Sequence, residues 1–280
     1  MIGVTGTNGK STLTALIDKA LSISGHVTVA AGNTGYPFSD AVLSVANQSD
    51  AYAVLEISSF QAELADGLLL DGFLWTNFAE DHLDRYGSMS RYFRAKARLF
   101  NCLKRDGLCV IGSQVAHWMA SQRKAFDGYT IAYEVADLVH QLDADSVFQR
   151  FPYSENFSLA AELWRLIDEP SGSLIEAANS LALLPHRLNL VAKCGSVRFW
   201  NDSKATNFHA TLAALRSIDR PIVWIGGGRA KGGDVEAFAL QVGPQVNMAV
   251  LYGEVAERLA KALKGSLGSV HVYECFGHAI

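Results

Sequence analysis

The stretch Val4-Thr5-Gly6-Thr7-Asn8-Gly9-Lys10-Ser11-Thr12 constrains this chain more than any other. It overlaps a short apolar strand candidate, Ile2 to Thr5, and opens a helical pattern with Leu13, Leu16, Ile17, Ala20 and Leu21 on one face. Strand, glycine-bearing turn, Lys-Ser and helix together are the layout of a phosphate-binding loop. Gly6 and Gly9 permit a tight turn that points backbone N–H groups inward, and the helix N-terminus adds a partial positive charge. Lys10 is then placed to reach the β and γ phosphates, and Ser11, or less readily Thr12, to offer a hydroxyl to magnesium. Val4 stands where the usual pattern has its first glycine. An ordinary glycine turn before a helix is the simpler alternative. The strand on one side and the amphipathic helix on the other weigh against it, so nucleotide binding is the working expectation.

The rest of the chain supplies what such a loop needs, a sheet to sit on. Val27 to Ala31 reads as a strand, followed by Gly32-Asn33-Thr34-Gly35 and a helix opened by Pro37. Ala51 to Ile57 and Phe73 to Asn77 read as further strands, and Ser90 to Leu103 as a helix before a strand from Leu108 to Ile111. Between 113 and 150 the periodicity is weak and suggests a helix and then a strand near Tyr129 to Tyr133. Asn156 to Ile167 and Ser173 to Leu183 are helix candidates, and Leu188 to Trp200 reads as a hairpin turning at Cys194-Gly195. A second series follows: a helix from Phe208, a strand from Ile222 to Ile225, Gly226-Gly227-Gly228 and a helix near Val235. It continues with a strand from Met248 to Tyr252, a helix from Val255 to Leu263 and a strand from Ser269 to Tyr273. This succession predicts an α/β protein with a mainly parallel sheet, a boundary near 184, and a second, Rossmann-like α/β domain that reads as truncated.

Composition narrows the class further. With 280 residues, 49% hydrophobic and 19% charged, the chain can bury ample core. A net charge of −4 with scattered basic residues argues against a nucleic-acid partner. No apolar run is long enough to span a bilayer and no secretory leader is visible, so a cytoplasmic protein without membrane insertion is expected. Cys102, Cys109, Cys194 and Cys275 lack metal-type spacing and read as buried free thiols.

In parallel α/β sheets ligands gather at the carboxyl ends of the strands, where Lys10, Asn33, Glu56 and His82 fall. Glu56 could hold a magnesium ion beside the phosphates, although spacing alone favours a solvated strand-end carboxylate. His82 lies among Glu80, Asp81 and Asp84, where a structural histidine is the plainer reading. Lys96, by spacing alone, is a solvated helix lysine. Arg187 and Asp202 could contact a nucleotide, and Lys204 and Lys231 an anionic substrate; as turn residues they could equally be merely solvated.

Several segments taken together resemble the Mur ligases, ATP-dependent amide-forming enzymes of peptidoglycan synthesis. They are Gly6 to Thr12, Gly32 to Gly35, Leu55-Glu56-Ile57-Ser58-Ser59-Phe60-Gln61, Glu80-Asp81-His82-Leu83-Asp84-Arg85, Ala95 to Phe100, Pro185-His186-Arg187 and Asn201 to Asn207. The first is shared with folylpolyglutamate synthases. Ser58 to Gln61 and Asn201-Asp202-Ser203-Lys204-Ala205-Thr206-Asn207 resemble the D-glutamate-adding branch. The resemblance implies a central ATP-binding domain over 1–184 and an incomplete C-terminal ligase domain over 185–280. It implies UDP-N-acetylmuramoyl-L-alanine and D-glutamate as substrates, ATP and Mg2+ as cofactors, and a monomer. Gly6, Thr7, Asn8, Gly9, Lys10, Ser11 and Thr12 would hold the phosphates, and Asn156, Arg187 and Asp202 the rest of ATP. Ser11 and Glu56 would ligate one magnesium and His82 a second, with Lys96 carried as a carbamate in support. Asn33 would polarise the reacting carbonyl region, while Ser58, Lys204, Thr206 and Lys231 would face substrate. Another Mur ligase, a folylpolyglutamate synthase, or an ATP-binding module without ligase activity are the alternatives.

Three departures accompany the resemblance. The family's UDP-gripping first domain has no counterpart before Ile2, and its closing serine- and phenylalanine-bearing segment has none before Ile280. Its Gly-x-His-Asn-x-x-Asn pattern stands here as Arg150-Phe151-Pro152-Tyr153-Ser154-Glu155-Asn156, keeping only Asn156. A piece of a longer ligase is therefore expected.

Overall fold

The structure, a computed structural model, describes residues 1–45, 48–122, 128–133, 135–229 and 232–279. The chain divides into two compact units, Met1–Ala79 with Met89–Leu184, and Glu80–Ser88 with Pro185–Ile280.

The first unit is built on six strands: β1 (Ile2–Thr5), β2 (Thr28–Gly32), β3 (Tyr52–Glu56), β4 (Leu70–Trp75), β5 (Leu103–Ile111) and β6 (Thr130–Ile131). They lie in the order β2-β3-β1-β4-β5-β6, and each neighbouring pair is parallel. Alternation along the strands feeds two cores. Ile2, Val4, Val54, Leu74 and Val110 face helix Lys10–Ile23, whose Leu13, Leu16, Ile17, Ala20 and Leu21 are fully buried with helices Tyr153–Leu166 and Ser171–Ser180. Burying each such aliphatic side chain contributes about 1.5–3 kcal/mol, enough to hold the loop-bearing helix down on the sheet. The alternate positions Phe73 and Trp75 join an aromatic group with Phe78, Phe93, Phe100 and Trp118, in which Trp75 and Phe93 stack at 5.0 Å.

The second unit carries β9 (Val223–Gly227), β10 (Met248–Tyr252) and β11 (Val270–Tyr273), a parallel sheet of order β11-β10-β9. Its core joins Leu212 and Leu215, Val235, Phe238 and Val242, Leu251, and Leu259 and Leu263. Between residues 189 and 201 lies the expected hairpin, β7 (Asn189–Cys194) and β8 (Val197–Asn201), antiparallel and exposed on nearly all positions. Its turn uses Gly195 at φ 58. Among the described residues no helix is long and apolar enough to cross a membrane.

Two sequence expectations need correction. The helix read as Ser90 to Leu103 is Met89–Ala97, continued by a 3-10 turn Arg98–Cys102, and Leu103 already begins β5. Cys102 and Cys109 are buried thiols as expected, whereas Cys194 and Cys275 are exposed, the first because the hairpin has no covered face.

Candidate functional site

In the first unit the chain turns out of β1 at Gly6 and enters helix Lys10–Ile23 at Gly9, which has φ 82. At neither glycine could a side chain fit. A Cβ on Gly6 would run into Thr76 Oγ1, and one on Gly9 would come 2.7 Å from Asn156 Oδ1. Asn156 itself is buried, and its Nδ2 donates to Gly9 O at 3.3 Å, so helix Tyr153–Leu166 props the loop from one side. Directly after β4 come Thr76 and Asn77. Asn77 Oδ1 accepts the Asn8 N–H at 2.9 Å and Asn77 Nδ2 donates to Asn8 O at 3.1 Å. Thr76 Oγ1 donates to the same oxygen at 2.6 Å. Thr7 completes the pairing, since its hydroxyl accepts the Ala79 N–H at 3.0 Å.

Two lysines converge on the loop carbonyls. Lys10 Nζ donates to Gly6 O at 3.1 Å and Thr7 O at 3.0 Å, folded back over the turn that it caps. Lys96 is only 1% exposed, so the solvated reading is overturned. Its Nζ donates to Gly6 O at 2.8 Å and Thr5 Oγ1 at 3.3 Å and lies 5.0 Å over the Tyr92 ring. A buried ammonium is tolerable because carbonyl, hydroxyl and aromatic face replace its water.

Glu56 also departs from the solvated reading. It is 3% exposed at the end of β3, its Oε1 accepts from Asn33 Nδ2 at 2.9 Å, and its Oε2 is buried with no hydrogen-bond partner among the described residues. Gly32 lets the neighbouring strand pass close enough for this, because a Cβ there would collide with Glu56 O. The arrangement leaves one carboxylate oxygen buried with no hydrogen-bond partner among the described residues, an expensive condition unless a cation or donor occupies that position. Ser11 and Thr12 lie in the first turn of the helix, Thr12 buried. Ser58 caps the short helix Ser59–Ala62 in a capping box with Gln61, so its hydroxyl accepts the Gln61 N–H at 3.2 Å.

In the second unit, Arg187, Asp202 and Lys204 come together where the hairpin strands meet their flanking loops. Leu188 N donates to Asp202 Oδ1 at 2.9 Å and Lys204 N to His186 O at 3.1 Å. Burial pushes the Asp202 carboxyl up to about 6, against the opposing pull of the Leu188 N–H and the Arg187 charge. Thr206 is exposed beside them. His82 takes φ 53 at the head of the short helix Leu83–Tyr86, with its Nε2 3.7 Å from Asp81 Oδ2. That Asp81 oxygen accepts from Asn207 Nδ2 at 3.1 Å, while Asn207 Oδ1 caps helix Phe208–Ser217 through the Ala210 N–H at 2.8 Å. Lys231 lies outside the described residues. Among the described residues no group of three or more His, Cys, Asp or Glu is placed to hold a metal ion.

Sequence reasoning missed Thr76, Asn77 and the Asp81–Asn207 bond. Polar Thr-Asn straight after a buried strand was the available signal for the first two. The third lay inside a quoted segment, as an Asn just before a helix.

Residues 4–162 match the Mur ligase middle domain and residues 186–280 the Mur ligase, glutamate ligase domain. The chain is 35% identical to a UDP-N-acetylmuramoylalanine--D-glutamate ligase of Synechococcus sp. (strain JA-3-3Ab), over 94% of this chain and 62% of that protein. It is 36% identical to the enzyme of the same name from Methylobacillus flagellatus (strain ATCC 51484 / DSM 6875 / VKM B-1610 / KT), over 95% and 62%. The chain thus spans less than two thirds of these relatives' length. Among solved structures, MurF from Acinetobacter baumannii superposes with TM-score 0.73 at 15% identity, covering 99% of this chain and 68% of that one. MurF ligase from Thermotoga maritima in complex with ADP gives 0.66 at 17% identity, covering 97% and 69%. E. coli FolC in complex with ADP, without folate substrate, gives 0.64 at 18% identity, covering 99% and 82%.

Proposed function

The chain belongs to the Mur ligase family, and on that footing we propose that it serves an ATP-dependent ligase joining D-glutamate to UDP-N-acetylmuramoyl-L-alanine for peptidoglycan. The observation that carries this reading is the pre-shaped phosphate loop in the same unit as a buried carboxylate, one of whose oxygens, Glu56 Oε2, has no hydrogen-bond partner among the described residues. The names of the relatives, and the segment Asn201 to Asn207, support D-glutamate as the amino acid joined.

In this proposal the γ-phosphoryl group passes to the terminal carboxylate of the muramoyl substrate, giving an acyl phosphate. The amine of D-glutamate attacks its carbonyl carbon, and the tetrahedral intermediate expels phosphate to leave the amide. Little covalent chemistry falls to the protein, so positioning and charge neutralisation dominate. The loop backbone and helix N-terminus receive the phosphates. Lys10 exchanges its carbonyl partners for phosphate oxygens, a move its flexible stem permits. Asn33 holds Glu56 in one orientation. Glu56 Oε2 and the Ser11 hydroxyl suit a hard divalent cation, so magnesium fits these residues. When bound, it would supply neutralisation of the phosphate charge.

Lys96 supports the loop through Gly6 O. A carbamate on its Nζ would keep one N–H for that carbonyl while adding an anionic group. His82 is proposed as a further metal ligand. Asn156, Arg187 and Asp202 would serve the nucleoside end of ATP, and Ser58, Lys204 and Thr206 the substrates; Lys231 would join them.

Phosphate release from ATP with UDP-N-acetylmuramoyl-L-alanine, with and without D-glutamate, tests the reading. Release should depend on D-glutamate and fall at least about 100-fold in Lys10→Ala. A chain that binds neither ATP nor ADP would sink it.

A further inference from the structure

We propose that Asn77, assisted by Thr76, is a positioning residue that fixes which backbone N–H groups of the phosphate loop face the nucleotide. The assignment rests on the reading of the loop as a nucleotide site.

The pairing of β1 with β4 does not stop where the strands end. Thr76 N donates to Thr5 O at 2.9 Å and Thr7 N to Asn77 O at 3.1 Å, so the loop leaves β1 still zipped to the chain beyond β4. Then the side chain of Asn77 takes over from backbone. Its amide lies along the peptide of Asn8, accepting from the N–H at 2.9 Å and donating to the C=O at 3.1 Å. Only this orientation of the amide matches donor to acceptor on both sides. Asn77 is 8% exposed, so water does not compete freely for either bond.

The geometry has a directional result. A trans peptide is planar, with C=O and the following N–H pointing oppositely. Anchoring Asn8 O against the end of β4, with Thr76 Oγ1 as second donor at 2.6 Å, therefore turns the Gly9 N–H away from that strand. The Thr7 and Asn8 N–H groups are committed to Asn77. The Gly9 N–H is thus the first loop donor turned toward the phosphate side, at the N-terminal end of helix Lys10–Ile23. Asn is the side chain for this task, because it alone among the small polar residues carries an acceptor oxygen and a donor nitrogen on the same carbon, in one plane.

Amide hydrogen exchange of the nucleotide-free protein, together with ADP titration, tests the assignment on the wild type, Asn77→Ala and Asn77→Asp. The expected result is a slowly exchanging Asn8 amide in the wild type. In Asn77→Ala its exchange should quicken at least about tenfold and ADP affinity should fall about tenfold, more than the accompanying drop of a few degrees in melting temperature accounts for. Asn77→Asp keeps the acceptor and loses the donor, so Asn8 should remain protected while ADP binding weakens. Should Asn77→Ala fail to fold, Thr76→Val carries the same comparison through Asn8 O. Unchanged Asn8 protection in Asn77→Ala overturns the clamp. Lost protection with unchanged ADP affinity overturns its positioning role, as does a loss of affinity that merely tracks the melting temperature. A wild type that does not bind ADP defeats the nucleotide reading and with it the role in binding, while the exchange data still decide the clamp.

Discussion

Asp202 sits where burial works against its charge, and this has a consequence for stability. Its carboxyl is pushed up to about 6 from the ordinary 3.8, so the folded chain holds the proton more tightly than the unfolded one. The stability linked to that proton is complete below pH 3.8 and is lost as pH rises through about 6. Asp202→Asn should therefore be more stable than the wild type at pH 8, by about 1 kcal/mol once solvent screening of this half-buried site is allowed for. The two should converge near pH 3.5 in urea titrations followed by circular dichroism. A gap that persists or widens in acid would contradict the burial argument. Glu56 and Lys96 mark the limit of sequence reading at this scale. Their burial comes from partners distant in sequence, the β2 end at Asn33 and the loop carbonyl at Gly6. Neither partner leaves a mark in the local spacing; the strand-end position of Glu56 admitted a magnesium role, while for Lys96 only the family resemblance pointed past the solvated reading.

At the scale of elements, the βα alternation was legible because each strand is apolar and each helix carries one apolar face. What escaped was the continuation past element ends. Arg98–Cys102 keeps a helical rhythm in sequence with no Gly or Pro to stop it, yet it tightens into a 3-10 turn because Leu103 must enter β5. Asn77, read as the last residue of a strand but lying beyond β4, and Asn207, in a turn that looks merely polar, work across long separations. Asn207 joins two functions that substitution can separate. Asn207→Ala loses both the helix cap and the bond to Asp81, and should cost about 1–2 kcal/mol in urea unfolding. Asn207→Asp keeps the cap but sets a second carboxylate against Asp81 Oδ2, now 3.1 Å from the amide. It too should destabilise, and a variant as stable as the wild type would show that the Asp81 bond contributes nothing.

At the scale of the molecule, the two units own separate hydrophobic cores, one around helix Lys10–Ile23 and one around Phe238 and Leu251. Cores that share no side chains give little reason for all-or-none melting. Calorimetry should resolve two transitions, and ADP should raise the one belonging to the phosphate-loop unit; a single two-state endotherm would contradict this. The place of β1 adds a constraint on how that unit comes into being. Ile2 pairs with Val54 on one side and Gly72 on the other. A ribosome delivering this chain must therefore carry the nascent phosphate loop in an unpaired strand until both flanking strands have emerged. Chaperone capture during synthesis should then concentrate on lengths at which Trp75 has not yet left the ribosome.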